Sequence, residues 1–139
     1  MKAIVDTCIW SLALRRDASE QSYLVEELSE LISEVRVQLI GPIRQELLSG
    51  IKSKKQFNLL KKQLAAFPDL PILSSDFELA AEFFNLARGQ GIQGSNIDFI
   101  ICSLAHSHNM SIFTTDKDFQ LYASVLPIKL YEPRLQKKI

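Results

Sequence analysis

The feature that most constrains this chain is the alternation of short, wholly apolar runs with longer stretches of helical periodicity. "AIV" (3–5) is a brief, uniformly apolar run, "SIF" (111–113) is a brief, mostly apolar one, and each gives way to polar residues. Runs of this kind mark strands buried on both faces, the condition of a parallel sheet. Residues 20–35 instead repeat apolar side chains at Tyr23, Leu24, Leu28, Leu31 and Ile32, a helical spacing. "RVQLIG" (36–41) reads as a second strand closed by Gly41. Pro42 then opens the helix that contains "IRQELL", at the first-turn position proline tolerates best. A basic helix is expected over about 53–66, followed by a short strand in "PIL" (71–73). Ser75 with Glu78 matches a capping box for "DFELAAEFFNLAR", with Phe77, Ala80, Phe84 and Ala87 as its apolar stripe. "GQGIQG" breaks that helix, and Ser95 starts "NIDFIICSLAHSH", apolar on nearly every side. A helix from Asp116 to about Ala123 and a strand in "LPIKLY" (126–131) complete the pattern.

This order predicts an α/β fold in three layers, α/β/α, with a central parallel sheet. At 139 residues the chain is expected to form a single domain, 1–139, able to bury a core without staples. Sixteen basic and sixteen acidic residues cancel, so overall charge selects no partner. Cys8 and Cys102 sit in apolar runs and read as buried reduced thiols, which suits a cytoplasmic protein. The start, "MKAIVDTCIW", does not read as a signal peptide, because Asp6 interrupts its apolar run. No apolar run approaches the ~20 residues that span a bilayer, so no membrane partner is expected.

In parallel sheets, ligands bind beyond the carboxyl ends of the strands. Asp6 ends the first strand, Glu46 lies one turn into the helix after the second, and Asp116 follows "SIF". Asp98 falls in the first turn of the buried helix that precedes "SIF". A helix opening on that edge is expected to run the wrong way for a simple crossover, with the arm from 75 to 108 leaving room to turn back. Each acid has an ordinary explanation: Asp98 and Asp116 as caps, Glu46 as a solvated helix residue, Asp6 as a strand end. Together they fit that explanation less well, because apolar neighbours draw Asp6 and Asp98 inward, where lone carboxylates are costly. Clustered carboxylates are relieved by hard divalent cations, Mg²⁺ or Mn²⁺. Zinc spacing is lacking: His106 and His108 stand two apart without cysteine partners nearby.

"IVDTCIW", "IRQELLSG", "GSNIDFIICSLA" and "IFTTDKDF" together resemble the four acidic blocks of PIN-domain ribonucleases, and more narrowly VapC toxins of type II toxin–antitoxin systems. The resemblance covers nearly the whole chain. It implies that Asp6, Glu46, Asp98 and Asp116 are the catalytic, metal-binding acids, with Asp118 at an auxiliary, less regular position. Thr7 and Thr114 match the small hydroxyl residues beside them, and "GIQGSNID" follows the small-residue lead into the third acid. The implied activity is Mg²⁺-dependent hydrolysis of RNA phosphodiesters, with Mn²⁺ as a substitute. The implied partners are an RNA substrate and a cognate antitoxin, and a homodimer is left open.

From Arg44 to Lys62 the chain gathers Arg44, Lys52, Lys54, Lys55, Lys61 and Lys62 against Glu46 alone. This excess reads either as a solvated helix face or as an attraction for the RNA backbone, with Arg44, Lys52, Lys54 and Lys55 as the leading contacts. "LQKKI" at the end reads as a frayed tail. Trp10, Leu12 and Leu14 read either as core or as the lining of an antitoxin groove, with Trp10 its anchor. Two further functional readings stay open. One is a non-catalytic RNA-binding or scaffolding PIN domain. The other is a small phosphatase using Asp6 as nucleophile, although that chemistry wants an aspartate where Cys8 stands.

Overall fold

The structure is a computed structural model that describes residues 1–14 and 22–135. Among these, the elements run β1 (Ala3–Val5), α1 (Thr7–Leu14), α2 (Ser22–Ser33), β2 (Val37–Gln38), α3 (Gly41–Leu48), α4 (Lys54–Leu64) and α5 (Ser74–Gly89). They continue with α6 (Asn96–Ser107), β3 (Ser111–Phe113), α7 (Asp118–Val125) and β4 (Lys129–Leu130). The four strands form one sheet in the order β2-β1-β3-β4, and every pairing is parallel. The central β1 and β3 are sealed on both faces: Ala3, Ile4, Val5, Ile112 and Phe113 expose nothing. This is the three-layer α/β/α arrangement expected from the apolar runs. The start of the 20–35 helix (20–21) and most of "LQKKI" (136–139) lie outside the described residues.

Several local expectations are corrected. β2 is shorter than 36–41, because Gly41 begins α3 rather than closing a strand, with Pro42 in its first turn. Residues 71–73 are not a strand. The nearest pairing is an isolated parallel bridge between Leu39 and Asp69, just ahead of Pro71, which has no N–H to donate. The Ser75–Glu78 box is displaced: α5 starts after Leu73, whose N–H donates to Asp76 Oδ2 at 2.8 Å. Its buried stripe is accordingly Asp76, Ala80, Phe83 and Ala87, and Phe77 is half exposed. On α2, Leu24, Leu28 and Leu31 are buried but Ile32 is exposed.

α6 also runs in the ordinary sense for a crossover, contrary to expectation. It begins at the carboxyl edge of the sheet, packs on β1 and β3, and ends where Met110 N–H bonds Ala105 O, immediately before β3. Its antiparallel partner α5 supplies the turn back. Asp98, in its first turn, therefore reaches the same edge as Asp6. None of the helices among the described residues is long and apolar enough to cross a membrane.

Candidate active site at the carboxyl edge

The site is assembled by two threonines. Thr7 opens α1 directly after β1, so its backbone N–H meets Asp6 Oδ1 at 2.8 Å and its hydroxyl donates to Glu46 Oε2 at 3.1 Å. Thr7 thus ties the end of β1 to α3. Thr114, just past β3, donates its hydroxyl to Asp6 Oδ2 at 2.8 Å and accepts from Asp116 N–H at 3.0 Å. It ties the ends of the two central strands together. Asp116 Oδ1 then accepts from Asp118 N–H at 2.9 Å, starting α7. The capping role and the edge position of Asp116 coexist.

Asp98 is delivered from α6, whose first turn is fixed by Ser95 Oγ accepting from Asp98 N–H at 3.1 Å. Its Oδ2 accepts from the Tyr122 hydroxyl at 2.6 Å. Tyr122 exposes nothing to solvent. Burial, the Asp98 bond and the charges of Asp98, Asp118 and Asp116 all push its hydroxyl pKa up, so it stays a donor. The sequence reading missed Tyr122, which sits 24 residues from Asp98 and carries no local signal.

The electrostatics single out Asp6. Burial pushes its carboxyl above the usual range, and the charges of Asp98 and Glu46 add to this. The bonds from Thr114 and Thr7 pull the other way and do not cancel it. Such a group is relieved either by a proton or by a cation. Among the described residues, no three His, Cys, Asp or Glu side chains stand close enough together to hold a metal ion as they are placed. The carboxylates and threonine hydroxyls around Asp6 are oxygen donors, which fits a hard divalent cation, and the Cys8 thiol is the one softer group beside them among the described residues.

Cys8 is half-buried rather than fully buried, and its Sγ lies 3.7 Å from Asp6 Oδ2, 3.4 Å from Thr114 Oγ1 and 3.4 Å from Thr115 N. A thiol occupies the place where the phosphatase reading needs a carboxylate. Cys102 is buried as expected, and burial pushes its thiol pKa up. A trough of about 370 Å³ runs from Glu46 and Asp98 between α3 and the start of α6, past Gln45, Ser49 and Ser95. A larger cleft of about 440 Å³ opens between α5 and α6 over Phe77, Phe84 and Phe99, but no acid or base lines it.

The remaining expectations separate. Arg44 does not face the site. Its guanidinium pairs with Asp69 at 3.0–3.1 Å and donates to the carbonyls of Leu64 and Phe67, clamping α3 to the end of α4. Lys52, Lys54, Lys55, Lys61 and Lys62 are exposed and form no ion pair with another described residue. Trp10 is core: its indole N–H donates to Val5 O at 3.1 Å and its ring meets Phe67 edge-on at 5.3 Å. It is not free to anchor a partner. Leu12 is buried with it, and Leu14 is half exposed.

The family model of the PIN domain matches residues 3–125. The chain belongs to the PIN-domain family. No curated protein matches it in sequence. Among solved structures, it is similar in fold to FitAcB from Neisseria gonorrhoeae (23% identity, TM-score 0.76), covering 94% of this chain and 97% of that one. VapBC2 from Rickettsia felis, bound to a DNA fragment from its promoter, is similar at 19% identity and TM-score 0.75, covering 94% and 98%. VapBC-1 from nontypeable Haemophilus influenzae follows at 18% identity and TM-score 0.71, covering 95% and 98%. The PIN match spans both strands and all four acids that make up the edge.

Proposed function

We propose that this PIN domain is a Mg²⁺-dependent endoribonuclease and the toxin of a toxin–antitoxin pair. The observation that carries the nuclease reading is the gathering of Asp6, Glu46, Asp98 and Asp116 at one sheet edge, with Asp6 held among like charges. These four acids would hold the cation, with Asp118 as an auxiliary ligand. Held there, Mg²⁺, or Mn²⁺ in its place, would supply Lewis-acid polarisation of the phosphate, a more acidic water and charge stabilisation of the leaving oxygen. The chain itself orients the donors: Thr7 aims Glu46, Thr114 aims Asp6, and the Asp118 N–H holds Asp116. Lys52, Lys54 and Lys55, continued by Lys61 and Lys62 along α4, give the RNA backbone a cationic path. Arg44 is left out of that path because it is already paired.

The toxin reading is supported by the fold neighbours, among them a toxin–antitoxin complex from Klebsiella pneumoniae (20% identity, TM-score 0.61) and FitAB bound to a DNA fragment. An antitoxin arginine suits the acidic edge, since its planar fork binds a carboxylate bidentately. The cytoplasm is the proposed location; whether the chain forms a homodimer is to be read from the sedimentation of the purified protein.

Purified protein incubated with total RNA, with and without Mg²⁺, and sequencing of the new ends test the nuclease reading. Discrete new ends that need Mg²⁺ are expected; intact RNA at every metal concentration would sink it. Expression of the chain alone should slow growth, and co-expression of the neighbouring gene should restore it. Normal growth at high expression of active enzyme would remove the toxin reading and leave the nuclease.

A further inference from the structure

Among the described residues, Tyr122 is the one fully buried hydroxyl that touches an acid of the site. Its ring is locked by packing, tilted against Phe99 at 5.1 Å and edge-on to Phe119 at 5.1 Å. Its hydroxyl reaches Asp98 Oδ2 at 2.6 Å, a length typical of a bond to an ionised acceptor. The approach is kept open by Gly94 in the lead into α6. A β-carbon at Gly94 would collide with the Tyr122 hydroxyl and lie 2.8 Å from Tyr122 Cζ and 3.0 Å from Phe99 Cε2. Gly94 has no positive φ, so what its position requires is the missing side chain rather than a special backbone conformation. Tyr122 comes from α7, which begins at Asp118, two residues after Asp116. The bond therefore joins the element of the third acid to the element of the fourth.

We infer that Tyr122 is a positioning residue for the cation site: it fixes Asp98 by one oxygen, leaves Oδ1 outside that bond, and depends on Gly94 for its place. A carboxylate held by one oxygen loses rotational freedom before the ion arrives, and losing a partner of this kind typically costs about 10–100-fold in metal affinity or activity. A buried tyrosine hydroxyl needs some acceptor in any case. The alternative is thus that Asp98 merely satisfies Tyr122, and metal affinity separates the two.

The inference rests on the cation reading of the edge. Its test is Mn²⁺ binding to the metal-free protein, measured by calorimetry or by the resonance of free Mn²⁺, alongside the metal-free melting temperature. Tyr122→Phe keeps the ring packing and should weaken Mn²⁺ binding roughly 10-fold. Gly94→Ala, which displaces the hydroxyl without removing it, should also weaken binding. The kcat for RNA should fall in both variants more than KM rises. Mn²⁺ affinity within about twofold of wild type in a folded Tyr122→Phe would overturn the inference alone. A wild-type protein that binds no Mn²⁺ would overturn the cation reading and this inference with it.

Discussion

Glu27 lies on α2 with its side chain sealed from solvent and four donors around it. The Tyr131 hydroxyl, Arg134 N–H, Arg134 Nε and Leu135 N–H all reach its oxygens at 2.7–2.9 Å. Asp6, at the carboxyl edge, is set among its own kind. It has a backbone N–H, a threonine hydroxyl and a thiol within reach, and Glu46 and Asp98 nearby. Burial works against both carboxylates. At Glu27 the bonds from Leu135, Tyr131 and Arg134 outweigh it and hold the carboxyl below the usual range. At Asp6 burial wins, and like charges reinforce it. The same chemical group is a finished structural joint in one place and, on the function proposed above, an unfinished site in the other. What distinguishes them is whether the chain supplies enough positive or donating partners, not depth alone.

The comparison breaks most visibly at Asp98. Asp98→Asn keeps the shape and the bond from Tyr122 through its amide oxygen but loses the charge a cation needs. RNA cleavage should fall by roughly 100-fold or more while the melting temperature barely moves. A large loss of stability with cleavage retained would make Asp98 a second Glu27. Asp116→Asn should behave like Asp98→Asn, and Asp118→Asn should matter less.

Glu27→Gln should do the reverse: cost about 1–3 kcal/mol of stability and leave cleavage per folded molecule unchanged. The lower part of that span is expected, because Arg134 is half exposed and water replaces part of its bonding. Linkage gives the sign of the pH effect. Glu27's folded pKa lies below its unfolded value of 4.5, so its contribution is fully present above 4.5 and is lost as pH falls through the folded pKa. The acid limb of the wild-type stability curve below pH 4.5 should therefore flatten in Glu27→Gln. An unchanged acid limb, by denaturant titration at several pH values, would show that the clamp forms no such linkage.

Much of this was legible in the chain, for reasons that also explain what was not. β1 and β3 stood out because strands buried on both faces need unbroken apolar runs. Asp6 and Asp116 stood out because each follows such a run, Asp98 because it opens a buried helix, and Glu46 because it lies one turn into the helix after the second strand, so their positions along the chain point to one edge. Caps were harder: Leu73, Ser75, Asp76 and Glu78 offer overlapping signals within one turn, and only packing chose Asp76. Trp10 was ambiguous because a large aromatic on a first helix suits core and groove alike until Phe67 is seen against it. Tyr122 and Glu27 were invisible. Their partners lie 24 and more than 100 residues away, and no spacing rule carries a contact of that kind.

The smallest expected effect concerns Asp6 without metal. Its folded pKa is raised above 3.8, so the folded state loses stability as pH rises through that folded pKa and carries the deficit at neutral pH. Asp6→Asn should then raise the metal-free melting temperature slightly at pH 7, the opposite sign to Glu27→Gln. A fall comparable to that of Glu27→Gln would place Asp6 among the structural joints.

The central claim is that the carboxyl edge is incomplete without a cation. A ligand that binds only the folded state stabilises it by mass action, by about 2.7 kcal/mol at a hundred times its dissociation constant. The direct measurement is the melting temperature of metal-stripped protein as Mn²⁺ is added up to millimolar concentration, for wild type and Asp6→Asn side by side. The wild-type melting temperature should climb with Mn²⁺ and the Asp6→Asn curve should stay nearly flat. Two flat curves, or two that climb together, would contradict the claim.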